Sequence, residues 1–317
     1  MVPPMLSACA STGPTEAPSV PAENDAIIVC GQRFPTGTRV VLWNEPGGYD
    51  AYALQPRFPA ELRGRPVLTG QRYGVRRDLP AEVAAAVTAH GFRLGDLRRQ
   101  VDQFVIHYDV CGTSRQCFKI LQDMRKLSVH FMLDTDGTIY QTLDLSERAW
   151  HASKANNRSI GIEIAQIGAY PLPAHPVLRE WYGTDQEGPF VRFPKWMKKT
   201  GIRTPGFVAR PARSKIVSGE IQGTELWQYD FTNEQYEALG KLAAALARAF
   251  PRLRLDYPKD AAGRLIPKVL SDAQFACYSG LLGHFHVQKN KTDPGPAFDW
   301  ERVVRAARAH YADVESP

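Results

Sequence analysis

No run of 18 or more apolar residues occurs in this chain of 317, so no segment is suited to crossing a membrane as a helix. No Lys/Arg-rich block carries interleaved aromatics, and nucleic acid is set aside as a partner on that ground. No internal repeat is present, which removes solenoids and propellers. Cysteine is sparse, at five residues. What remains is ordinary globular usage. Hydrophobic residues make up 44% and charged residues 23%, enough for one large domain or two small ones with a sizeable core. The net charge of +6, with a pI near 9.0, suits a polyanionic surface.

Residues 1–25 read as a tether. Leu6-Ser7-Ala8-Cys9 resembles a bacterial lipobox, in which the cysteine is lipidated, and a Ser/Thr/Pro-rich stretch follows from Ser11 to Pro21. Met1 to Met5 supply neither the basic nor the apolar segment that precedes a lipobox. Lipid anchoring through Cys9 and an ordinary terminus with one exposed cysteine both stay open. Residues 26–101 carry short apolar runs broken by Gly and Pro, with one candidate helix from Ala81 to Ala89. They are expected to form an extension packed on the main domain.

From 102 the pattern sharpens. Gln103 to His107 is an apolar run of strand length, and Ser159 to Ile164 is another. Ser114 is placed to cap a helix whose Phe118, Ile120, Leu121 and Met124 share a face. Ser128–Leu133 and Thr138–Thr142 flank Asp134-Thr135-Asp136-Gly137, a hairpin signal. Residues 168–230 form a Pro/Gly/aromatic-rich insertion with little periodicity. Thr232-Asn233-Glu234-Gln235 is a capping box that opens a helix through Phe250. Leu281 to His284 ends a further strand, and Asp299 to Ala312 reads as a C-terminal helix. Strands interspersed with helices predict an α/β domain over 102–312, a central mixed β-sheet flanked by helices.

The chemistry gathers in two places. Phe104-Val105-Ile106-His107-Tyr108 puts a histidine at a strand end. Far downstream, Gly283-His284 is followed nine residues later by Asp293, within Lys291-Thr292-Asp293-Pro294-Gly295-Pro296-Ala297-Phe298-Asp299-Trp300. Two imidazoles and one carboxylate make a three-ligand zinc site with the fourth position open, the arrangement of catalytic rather than structural zinc. Metal-assisted hydrolysis is the reaction class this predicts. The plainer readings are a satisfied core histidine for His107 and a turn cap before Pro294-Gly295 for Asp293.

Six segments in order carry a resemblance. They are Val105-Ile106-His107, Val129-His130-Phe131, Asp136-Gly137-Thr138-Ile139-Tyr140-Gln141, Arg148-Ala149-Trp150-His151-Ala152, Ser159-Ile160-Gly161-Ile162-Glu163, and Gly283-His284 with Lys291-Thr292-Asp293-Pro294-Gly295. Together they resemble the zinc-dependent N-acetylmuramoyl-L-alanine amidases of the type 2 amidase and peptidoglycan-recognition superfamily, over about 102–305. The resemblance implies that fold, with His107, His284 and Asp293 as zinc ligands. It implies hydrolysis of the amide between the muramoyl lactyl group and L-alanine, with Glu163 moving the proton and Lys291 holding the developing oxyanion. His151, Trp150 and Tyr108 fall where substrate is bound, and His130 reads as structural. The His-to-Asp spacing is slightly shorter than in the similar anhydro-muropeptide amidases, so His286 competes with His284.

The Cys111–Cys117 spacing resembles a disulfide of the peptidoglycan-recognition branch, which implies an oxidising compartment, periplasm or cell envelope. Cys30 and Cys277 are open as a second pair or as buried thiols. Peptidoglycan or muropeptides are the expected partners. Two alternatives stand beside an amidase of polymeric wall: preference for small 1,6-anhydro-muropeptides, and a binding module without turnover. A phage-type lysin fits less well, because no separate wall-binding repeat is present. In the insertion, Lys195, Lys198, Lys199, Arg203, Arg210 and Arg213 either meet acidic wall components or form a solvated basic loop.

Overall fold

The computed structural model describes residues 24–62, 64 and 68–315, so Cys9 and the lipobox-like segment lie outside the described residues. Its centre is a six-stranded mixed sheet. The strands are β1 (Val40–Leu42), β2 (Gln103–Tyr108), β3 (Phe131–Leu133), β4 (Ile139–Gln141), β5 (Ser159–Ile164) and β6 (Gly280–Gly283). Their spatial order is β6-β2-β5-β3-β4-β1. Only the β3–β4 pair is antiparallel; it is the hairpin expected at Asp134–Gly137.

The sheet is covered on both faces, which is why β2 is buried at every position. Side chains alternate between faces with period two. Phe104, Ile106 and Tyr108 of β2, with Ile160, Ile162 and Ile164 of β5, enter the main core. That core is closed by helix α1 (Asn233–Ala249) through Leu239, Leu242 and Leu246, and by helix α2 (Trp300–Glu315) through Val303 and Val304. Full burial of such a side chain stabilises by roughly 1.5–3 kcal/mol. The capping box at Thr232 and Gln235 opens α1 as expected.

The same alternation puts Gln103, Val105 and His107 of β2, and Ser159, Gly161 and Glu163 of β5, on the opposite face. Val105 packs there with Leu282 and Phe275. Gln103 and Ser159 open their strands, while His107 and Glu163 lie at the carboxyl ends, where open α/β sheets build their crevices. His107 and Glu163 are direct register partners. Ile106 is the partner of Gly283, so His107 and His284 emerge side by side.

Three expectations need correction. The helix after β2 is α-helical only over Ser114–Phe118 and widens into a π-helical turn at Lys119–Arg125. Its cap is Thr113, whose Oγ1 accepts from the Gln116 N–H at 3.2 Å, and Ser114 lies inside the helix. The widening turns Gln122 and Asp123 inward in place of Met124. The strand expected over Ser128–Leu133 is confined to Phe131–Leu133, because Ser128 Oγ is engaged with Arg72 O and the Trp150 N–H.

The extension over 26–101 shares the sheet rather than only covering it. Val40–Leu42 is its edge strand, parallel to β4. Asp123 accepts from the Arg57 and Phe58 N–H groups at 2.8 Å each. Arg72 and Arg76 are 0% and 1% exposed and reach into the main domain. The insertion over 168–230 holds a short helix, Pro176–Trp181, and hairpins pairing Tyr182–Asp185 with Gly188–Val191 and Val217–Ile221 with Thr224–Gln228. Ile167, Leu178, Trp181 and Tyr182 give it a satellite core. Two of the six cations named above are spent on its own carboxylates, Arg210 on Asp185 and Glu187, Arg213 on Asp230.

Candidate metal centre

His107, His284 and Asp293 meet at the sheet edge, with exposures of only 2%, 5% and 7%. His107 Nδ1 lies 3.0 Å from His284 Nδ1 and 2.8 Å from Asp293 Oδ2, and His284 Nδ1 lies 3.0 Å from the same oxygen. A tetrahedral ion about 2.0–2.1 Å from each donor needs donor–donor edges of about 3.3–3.4 Å. The triangle is a few tenths of an ångström from that size. Two imidazole nitrogens and a carboxylate oxygen are also the N/O donor set that zinc takes in catalytic sites.

The hydrogen bonds around the triangle favour a cation inside it. His284 Nε2 is 2.6 Å from Gln288 Oε1, and donation to that acceptor is the tautomer that leaves Nδ1 to face a metal. His284 Nδ1 and the Asp293 carboxylate face one another at 3.0 Å, a spacing that a shared proton or a bound cation bridges. Burial opposes ionisation of Asp293, but the adjacent His284 and His107 outweigh it and hold the carboxyl far below its usual range. Burial, reinforced by His284, depresses His107 to about 4, so its ring is neutral at pH 7 and fit to be a ligand. These three residues can therefore hold a metal ion.

Each remaining histidine has a place. His286 accepts from the Gly283 N–H at Nδ1 (2.9 Å) and donates from Nε2 to Ile266 O (2.8 Å). Both its nitrogens are used, which leaves His284 alone in the triangle. His130 accepts from the Gly161 N–H at Nδ1 (3.0 Å) and donates to Glu147 O (3.1 Å). His151 was expected to meet substrate. Its ring lines the cleft but stands behind His107, with its Nδ1 3.0 Å from His107 Nε2 and its Nε2 3.2 Å from Ser159 Oγ. It lies against Gly161, where a Cβ would come within 2.5 Å of the ring.

Glu163 sits on the same face, and its Oε2 has no hydrogen-bond partner. Burial, then the charges of Asp293 and Asp109, push its carboxyl well above the usual range. A buried carboxyl oxygen without a partner is costly unless something is meant to meet it. Lys291 and Trp150 border the same cleft of ≈ 490 Å³, together with Arg125, Gln288 and Asn290. Tyr108 borders it too, but its hydroxyl is bonded to Thr292 Oγ1 at 2.6 Å and its ring lies in the main core. That bond braces the loop carrying Asp293.

Cys111 and Cys117, expected as a disulfide, are free thiols in this structure. They are neighbours all the same, and with Asp109 they offer ligand atoms within 4.8 Å of one another. The hydrogen bond from Cys117 pulls Cys111 down, but burial and Asp109 leave it raised; burial pushes Cys117 well up. Neither is poised as a thiolate. Cys30 and Cys277 are also free, Cys30 in a turn beside Asp144 and Cys277 exposed at the end of the helix Asp272–Cys277. Sequence reasoning missed Gln288 and Ser159. Gln288 lies four residues after His284, the spacing of neighbours on a helical turn; Ser159 carries no such signal.

A family described as N-acetylmuramoyl-L-alanine amidase (Amidase_2) matches residues 97–296, 200 of the 317. No curated protein matches the sequence. Among solved structures, a selenomethionine derivative of AmpD is similar at 18% identity and a TM-score of 0.34, covering 74% of this chain and 89% of that one. AmiD from E. coli, in complex with the substrate anhydro-N-acetylmuramic acid-L-Ala-D-gamma-Glu-L-Lys, is similar at 18% identity and a TM-score of 0.36. That match covers 65% of this chain and 57% of AmiD. The endolysin amidase LysCS from Clostridium intestinale URNW is similar at 15% identity and a TM-score of 0.33, over 67% of this chain and 86% of that one.

Proposed function

This chain belongs to the N-acetylmuramoyl-L-alanine amidase family, and from that premise we propose that it uses zinc to hydrolyse the amide joining the muramoyl lactyl group to L-alanine of peptidoglycan stem peptides. The observation that carries the reading is the meeting of three buried donor atoms, 2.8–3.0 Å apart, beside a carboxyl oxygen with no partner. When bound, zinc supplies Lewis acidity to the scissile carbonyl and acidifies a water towards a pKa of about 7.

The chain's own residues do the rest. Glu163, in register with His107 and ionised where a cation held by the triangle offsets its burial and the charges of Asp293 and Asp109, takes the proton of the attacking water at Oε2 and delivers it to the leaving amine of L-alanine. Lys291 brings a cation to the carbonyl oxygen as it gains charge. Gln288 behind His284, and His151 behind His107, keep the two rings from turning. Trp150 offers an apolar wall for the sugar. We place the enzyme in the periplasm or cell envelope, with the neighbouring Cys111 and Cys117 oxidised there and Cys9 as a candidate lipid anchor.

The test is incubation with purified peptidoglycan and, separately, with a monomeric 1,6-anhydro-muropeptide, followed by mass spectrometry. Release from polymer of stem peptides bearing a free L-alanine amine supports the reading. Release from the small muropeptide alone narrows the substrate to that class. Bound metal with no release from either overturns the proposal in favour of a binding module.

A further inference from the structure

Arg76 lies outside the segment that matches the family, in the extension, yet it is 1% exposed in the heart of the main domain. No carboxylate pairs with it among the described residues. Burying a guanidinium without a counter-ion is expensive, and burial pulls this one down to about 9. The groups it does meet are specific. Nη1 donates to the carbonyls of Asn156 (3.2 Å), Asn157 (3.2 Å) and Ser159 (3.0 Å), and Nη2 donates to Leu145 O (2.9 Å) and faces His130 Nε2 at 3.3 Å.

Three of those carbonyls belong to the stretch that holds His151. Asn156 Oδ1 accepts from the His151 and Ala152 N–H groups at 3.2 and 2.7 Å. Ser159 Oγ meets His151 Nε2. From the other side the His130 ring packs edge-on to His151, centroids 5.8 Å apart. His151 in turn meets the Nε2 side of His107, whose Nδ1 is in the metal triangle. A continuous line of direct contacts thus runs from the extension to a metal ligand.

We propose that Arg76 is a positioning residue of the metal centre: by clamping the 156–159 carbonyls it fixes His151, and through it the ring of His107. The extension is thereby part of the catalytic apparatus. This rests on the metal reading above, so metal binding itself is the readout. Rings held by an outer hydrogen bond lose about 10–100-fold in metal affinity when the partner goes.

The experiment is zinc competition against a chromogenic chelator for the full chain, wild type and Arg76→Lys, Arg76→Met, His151→Ala and the double variant Arg76→Met/His151→Ala, with kcat and KM for those that turn over. Zinc affinity is expected to fall about tenfold or more in both arginine variants, with kcat falling and KM held. On the His151→Ala background Arg76→Met should add little, because the two act in series. Variants that melt earlier yet bind zinc and turn over as wild type, or that add fully to His151→Ala, overturn the inference and leave Arg76 a structural tie. Where the arginine variants do not fold, Asn156→Ala decides: weakened zinc binding supports the line of contacts, and wild-type binding overturns it. Absence of zinc binding in the wild type sinks the metal reading first, and this inference with it.

Discussion

Replacing Gly161 by alanine is the most local way to disturb the centre without touching a ligand. Gly161 lies in β5, paired with Val105 on one side and with its N–H on His130 Nδ1, so its backbone has little room to retreat. An added Cβ would stand 2.5 Å from Cε1 and Nδ1 of His151 and 2.8 Å from its Cγ. Ordinary contact begins near 3.4 Å, so the ring must recede by about 0.9 Å, the difference between 3.4 and 2.5. Nδ1 is the atom that meets His107 Nε2 at 3.0 Å, and a shift of that size takes the pair out of hydrogen-bond range. Overpacking of this kind costs about 1–3 kcal/mol, and the loss of the hydrogen bond behind a ligand lowers metal affinity about 10–100-fold. Thermal melting of the metal-free protein reads the first effect and chelator competition the second. Wild-type zinc affinity in Gly161→Ala would refute the claim that His151 holds His107 in place.

Three further outcomes are expected. Glu163→Gln should bind zinc as wild type while losing about 10²–10⁴-fold in kcat; zinc-loaded turnover measured on a muropeptide checks this, and near-normal kcat would remove Glu163 from proton transfer. His284→Ala should abolish stoichiometric zinc, whereas His286→Asn should keep it and lower the melting temperature, because His286 spends both nitrogens on Gly283 and Ile266; the opposite pattern would exchange their roles. Burial raises Asp134 to about 8, so between about pH 4 and 8 the folded protein holds a proton that the unfolded chain has lost, and this group makes stability fall as pH rises through that window. Asp134→Asn should flatten that fall in a series of melts, and an unchanged slope would show that Asp134 is ionised in the fold.

Much of the frame was legible because it is periodic or capped. The strands over Gln103–Tyr108 and Ser159–Ile164, the turn at Asp134–Gly137 and the boxed start of the helix at Thr232 are local patterns, and the folded chain keeps them. The meeting of His107, His284 and Asp293 was legible for a different reason, since a resemblance across six segments carries three-dimensional neighbourhood that spacing alone does not. What escaped is tertiary. Val40–Leu42 has no pattern that tells it to join β4, and the π-helical turn at Lys119–Arg125 arises where Asp123 must reach the Arg57 and Phe58 amides. His151 lines the cleft as read, but its place behind His107 depends on a glycine ten residues on, which gives its ring room. Tyr108 lines the cleft as expected of a substrate-facing residue, but its bond to Thr292 carried no signal in the sequence. Arg76 carried no signal, since a buried arginine reads the same as an exposed one.

The central claim is tested most directly by stripping the protein of metal and titrating zinc back while following release of L-alanine-terminated stem peptide. Activity should be absent in the stripped protein, rise linearly and saturate at one zinc per chain, with His107→Ala showing no such rise. Full activity in protein shown to be metal-free, or saturation unrelated to one equivalent, would contradict a catalytic metal held by His107, His284 and Asp293.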